Sequence, residues 1–134
     1  MSLRSLPLIV LAFIIYNIVV LVFGKDALDK ELFEIHMLSG GLWKFSWGDL
    51  IILMTLFLLF IELVKSTYTN TSSLVDHGLS MIVFIACLIE FLMTPQAASS
   101  VFFLIVVATA IDVVAGFTIG IRVAQRDLTF GTNN

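Results

Sequence analysis

Four long runs of apolar residues, broken by shorter polar stretches, dominate the chain at roughly 6–23, 47–64, 75–93 and 99–121. Each is close to the 17–25 residues that a helix needs to cross about 30 Å of hydrocarbon. The pattern therefore predicts four membrane-spanning helices in a single integral-membrane domain over residues 1–134. The third and fourth runs are joined by the short turn "MTPQAASS", which makes them an antiparallel hairpin. The second and third are joined by "KSTYTNTSSLVDH", a Ser/Thr-rich segment without periodicity that suits a solvent-exposed loop. The expected fold is an all-α membrane protein, an antiparallel four-helix bundle.

The connection between the first and second runs has a different character. In "GKDALDKELFEIHMLSGG", Leu28, Leu32, Ile35 and Leu38 recur at three- and four-residue spacing, with Asp26, Asp29, Lys30, Glu31 and Glu34 mostly on other faces. This spacing predicts a short amphipathic helix over about 25–38, lying along the membrane surface and ended by Gly40-Gly41. Trp43 and Trp47 then bracket the entry to the second span, at the headgroup level where indoles are enriched.

Composition sharpens this reading. The chain is 60% hydrophobic and 13% charged, against about 25% charged residues in a typical soluble domain. A net charge of −3 leaves no broad basic surface, so nucleic acid is not an expected partner. The lone Cys87 lies inside the third run, which excludes an intrachain disulfide. Arg4 ahead of an apolar run has the look of a signal peptide, but the run is longer than a typical h-region and lacks a small-x-small cleavage site, so it reads as a retained span. Arg4, Lys65, Arg122 and Arg126 fall on one side of the predicted topology and Lys25, Lys30 and Lys44 on the other. The positive-inside rule then favours both termini in the cytoplasm.

The polar residues inside the runs carry the remaining information. Gly48, Thr55 and Glu62 share one stripe at seven-residue spacing, as in a left-handed bundle. In the third run Ser80, Val83, Cys87 and Glu90 fall within a narrow arc, and in the fourth Ala108, Asp112, Gly116 and Gly120 lie four apart, the last pair forming GxxxG. At about 1.5 Å per residue, Asp112, Thr55 and Asn17 come out near the midplane. An ionised aspartate there costs at least about 2.5–3.5 kcal/mol, so Asp112 is expected to be protonated, hydrogen-bonded or beside water, with Asn17 and Thr55 as candidate partners. Glu62 can pair with Lys65 one turn on. Asp49, Glu62 and Glu90 read as interfacial carboxylates that end their spans or pair with a neighbour, and His77 beside Asp76 as a helix-start feature.

No His, Cys, Asp or Glu cluster has ligand spacing, so neither metal nor cofactor is expected. The chain has no Walker loop, no GxSxG and no nucleophile–base pairing to suggest an enzyme. The triplet Asn70-Thr71-Ser72 fits a glycosylation sequon but falls in a loop expected to be cytoplasmic, and Arg126-Asp127 reads as an interfacial charge pair.

The stretch from Glu62 to Asp127, with "ELVKSTYTN", "LVDHGLSMIVFIACLIEFL" and "IDVVAGFTIGIRVAQRD", resembles a group of small four-span bacterial inner-membrane proteins of unassigned function. Its marks are Glu62, Lys65, Asp76, His77, Glu90, Asp112, Gly116, Arg126 and Asp127, and it covers about the C-terminal half of the chain. It implies a bacterial inner-membrane location and brings with it no catalytic or binding residues. The small multidrug-resistance transporters match in size, but they use a glutamate in the first span, where this chain has Asn17 and no acid. The leading expectation is a non-catalytic accessory or assembly subunit, packed in the bilayer against other membrane subunits or itself. The alternative is a small proton- or ion-coupled transporter or channel, working as a homo-oligomer with Asp112 as the titrating group.

Overall fold

The computed structural model describes residues 7–68 and 74–132, with side chains over 7–67 and 78–119 and at 121, 122 and 125. The sequon at 70–72 and the side chains of His77, Arg126 and Asp127 lie outside the described residues. The apolar runs fold into four helices, α1 (Val10–Phe23), α2 (Trp47–Tyr68), α3 (Leu74–Met93) and α4 (Ser100–Thr132). Helix α4 packs most extensively against α2 and α3, and α1 closes onto α2.

Two helices, over Trp47–Thr67 and Ser100–Ile119, are long and apolar enough to cross a membrane. The apolar helices Val10–Phe23 and Gly78–Met93 are shorter than the spans expected at 6–23 and 75–93. At α1 the difference has a local cause, because the chain makes a tight turn after Pro7, with Val10 N–H bonded to the Pro7 carbonyl, before the helix begins. Helix α4 differs in the opposite sense and runs well past 121. Arg122–Asp127 has no proline or glycine and is rich in helix formers, a continuation that an apolar pattern does not register.

The amphipathic helix expected over 25–38 is not formed. A 3₁₀ turn (Lys25–Asp29) leads into an antiparallel hairpin of β1 (Glu31–His36) and β2 (Leu42–Ser46), with Phe33 opposite Phe45, Glu34 opposite Lys44 and Ile35 opposite Trp43. Alternation wins over the three–four spacing because a second apolar strand follows close behind. Phe33, Ile35, Trp43 and Phe45 share one face, where the Phe33 and Phe45 rings stack at 4.8 Å and Trp43 meets Phe45 edge-on at 5.6 Å. The reversal is closed by Met37 N–H to the Gly41 carbonyl at 2.7 Å and by Gly40 at φ +90°, a conformation natural only to glycine. Leu38 consequently stands fully exposed at the hairpin tip.

Strand β2 passes directly into α2 through reciprocal capping. Ser46 N–H donates to Asp49 Oδ2 at 3.1 Å, and Asp49 N–H donates to Ser46 Oγ at 3.2 Å. The core is built around Phe102 of α4, whose ring lies 4.9 Å from Tyr16 and stacks at 6.3 Å on Phe91. Outside it, each helix presents large apolar side chains, among them Ile18, Phe57, Ile82 and Val114.

Where α2 starts, Gly48 permits a close approach of three segments. A Cβ at this position would lie 2.9 Å from Val101 Cγ2 and 3.1 Å from the Leu28 carbonyl oxygen. Gly48→Ala is expected to destabilise the fold by about 1–3 kcal/mol through overpacking, seen as a lowered unfolding midpoint in detergent. An unchanged midpoint would mean that the approach is not tight.

Candidate functional site

Polar groups inside an apolar bundle require partners, and the helices supply most of them by facing their polar stripes inward. On α2 the buried stripe runs Gly48, Ile51, Thr55, Leu59 and Glu62, and on α4 it runs Ile105, Ala108, Thr109, Asp112 and Gly116. Two of these groups are satisfied within their own helices. Thr55 Oγ1 donates to the Ile51 carbonyl at 2.7 Å, and Thr109 Oγ1 to the Val106 carbonyl at 2.6 Å.

The carboxylates make the contacts between elements. Glu62, 9% exposed, accepts a hydrogen bond from the Leu8 amide just ahead of α1. Asp112, 4% exposed, is hydrogen-bonded to Ser80 of α3 and lies within electrostatic range of Glu62. Its Oδ2 is buried without a partner among the described residues. Towards the hairpin end, Glu90 of α3 is hydrogen-bonded to Asn17 of α1, while its Oε2 is likewise buried and unpartnered among the described residues. Tyr16, 1% exposed, donates to the Gln96 carbonyl at 2.7 Å and lies 2.7 Å from Ser99 Oγ. Ser99 Oγ in turn accepts from the Phe102 amide at 3.2 Å, capping the start of α4.

The partners differ from those expected for Asp112. Asn17 Nδ2 bonds the Phe13 carbonyl at 2.9 Å and serves Glu90, while Thr55 turns back on its own helix. Counting residues from a helix end fixes height and leaves azimuth open, and Asn17 sits six residues from the end of α1, close to the level of Glu90. Gly116 is buried in the chain's own bundle, and the surroundings of Gly120 lie outside the described residues. Lys65 is half-buried one turn beyond Glu62. Trp43 and Trp47 are exposed at the hairpin end, and Asp49 is the cap of α2.

Tyr16, Ser99 and the Leu8 amide were not singled out by sequence. A tyrosine within an apolar run is itself a signal, because a buried phenol needs a hydrogen-bond partner, and Ser99 occupies a typical cap position ahead of a helix. Among the described residues, no three His, Cys, Asp or Glu side chains are grouped to hold a metal ion. Together the contacts join α1 to α2, α1 to α3, α3 to α4, and α1 to the turn before α4.

No protein-family model matches the chain, and neither a curated protein nor a solved structure matches it.

Tyr16→Phe removes a single oxygen yet leaves the Gln96 carbonyl without its donor. The expected cost is about 1–3 kcal/mol, read as a drop in the unfolding midpoint in detergent, while Tyr16→Leu adds the loss of the Phe102 ring contact and costs more. Equal stability of Tyr16→Phe and the wild type would show that the hydroxyl ties nothing together.

Proposed function

We propose that this chain is a four-span bacterial inner-membrane protein with cytoplasmic termini, serving as a non-catalytic accessory or assembly subunit. All four helices present apolar side chains outward, as a lipid-facing surface requires. The short apolar helices, 14 residues for α1 and 16 for the Gly78–Met93 part of α3, are accommodated by local thinning of the bilayer.

The observation that carries the subunit reading is the hairpin. All six side chains of β1, and Leu42, Trp43 and Lys44 of β2, are exposed. Leu32, Phe33, Ile35, Met37 and Leu38 present far more apolar surface than two strands require for their own pairing. A two-stranded sheet also leaves both outer edges open for strand addition. The polar stripes of α2 and α4, by contrast, are taken up inside the bundle, so the hairpin is the better candidate for contact with another membrane subunit. Extraction in mild detergent followed by native mass measurement should recover a stoichiometric partner, and the double variant Ile35→Asp/Leu38→Asp should weaken its retention by roughly 30-fold, the factor for a hot spot of about 2 kcal/mol. Unchanged retention would remove the hairpin from the interface.

A second reading, an ion- or proton-coupled transporter acting as a homo-oligomer, is favoured by one observation, the buried Asp112 Oδ2, unpartnered among the described residues. In that case Asp112→Asn, which keeps the shape and an acceptor for Ser80, abolishes proton flux into liposomes reported by an internal pH dye. Full flux in that variant would exclude Asp112 as the coupling site.

A further inference from the structure

The 3₁₀ turn (Lys25–Asp29) separates Lys30 from the two aspartates. With three residues per turn, side chains three apart lie one above another. Ala27 and Lys30 therefore share one side, and Asp26 and Asp29 share another, where with Lys25 they border a separate depression beside Ser99 and Ser100. The Ala27 and Lys30 side opens onto a crevice of about 250 Å³ whose other walls are Val19 and Phe23 of α1 and Trp47 of α2. Its walls are apolar, and Lys30 is the one charged residue among the described residues that line it.

The backbone fixes this arrangement. Trp47 N–H donates to the Lys30 carbonyl at 3.0 Å, and Lys30 N–H donates to the Ala27 carbonyl at 3.2 Å. Cation and indole are thus carried on adjoining, hydrogen-bonded backbone. Phe23 is the last residue of α1 and Trp47 the first of α2. The crevice consequently sits where the apolar helices end, the level at which headgroups meet hydrocarbon in an inserted bundle.

We propose that this crevice seats one anionic phospholipid, its phosphate on the Lys30 ammonium and the upper part of an acyl chain against Val19, Phe23 and Trp47. Charge decides the lipid class. A zwitterionic headgroup brings its own ammonium to Lys30, whereas an anionic one offers an unopposed phosphate. The site rests on membrane insertion of α1 and α2 and is independent of the subunit reading.

The test uses the full chain in nanodiscs of equimolar phosphatidylglycerol and phosphatidylcholine, released into the gas phase for native mass measurement of retained lipid. Wild type should retain one phosphatidylglycerol in preference to phosphatidylcholine. Lys30→Glu should lower that retention about 30-fold, equivalent to about 2 kcal/mol for a two-charge change, Lys30→Arg should preserve it, and Lys44→Glu, the same charge change on the hairpin, should leave it intact. Equal retention of both lipids, or an equal loss in Lys44→Glu, would overturn the site. Flotation of each variant with phosphatidylglycerol vesicles separates the two levels. Failure of the wild type to float overturns insertion and the site together, whereas flotation without selective retention overturns the site alone.

Discussion

A hydrogen-bonding group held among apolar helices costs several kcal/mol unless the chain itself supplies a partner. In this protein that constraint determines which helix faces which. Glu62 reaches the Leu8 amide, Asp112 reaches Ser80, Glu90 reaches Asn17, and Tyr16 reaches the turn that starts α4. Each contact joins two elements, so the polar side chains set registers that apolar packing alone leaves loosely defined. Phe102 completes the arrangement by filling the space between Tyr16 and Phe91. The outer faces of the helices carry large apolar side chains such as Ile18, Phe57, Ile82 and Val114.

Turning the polar stripes inward changes what the protein can offer a partner. A small-residue face on α4 suggests helix docking when read alone, but Gly116 is enclosed by the chain's own helices. The exposed features lie at the opposite end from Glu62, where the hairpin, Trp43, Trp47 and the Lys30 crevice cluster above α1 and α2. Capping of α2 by Ser46 and Asp49 ties this region rigidly to the bundle. The hairpin and the Lys30 crevice thus lie together at the end of the bundle where α2 begins.

Much of the helical part was legible because apolar runs and their boundaries obey length rules that hold before any packing occurs. The inward face of Thr55 and Asp112 followed from their polar character within apolar runs, whereas Glu62, read as an interfacial carboxylate free to reach water or Lys65, is instead buried against the Leu8 amide. The hairpin was less accessible, because Leu28, Leu32, Ile35 and Leu38 satisfy a helical spacing by coincidence. The competing signal lay in the alternation of Phe33-Glu34-Ile35-His36, echoed by Trp43-Lys44-Phe45 across Ser39-Gly40-Gly41. Weighing the segment with its successor favours strands, since two alternating stretches separated by glycines can bury aromatic rings against each other. The partner of Asp112 was beyond a one-dimensional count, because it depends on how α3 crosses α4, a property of packing.

Site-directed labelling from one side of the membrane tests the four-span bundle most directly. Single cysteines introduced as Ser39→Cys in the hairpin turn, Gln96→Cys before α4 and Thr71→Cys between α2 and α3 are exposed in turn to a membrane-impermeant maleimide on intact spheroplasts, in a Cys87→Ser background. A bundle in which all four helices cross places Ser39 and Gln96 together on the outer side, so both should label before lysis and Thr71→Cys only after it. Labelling of Ser39→Cys from outside with Gln96→Cys protected until lysis would contradict it, leaving α3 on the inner side and only α2 and α4 as crossing helices after the hairpin.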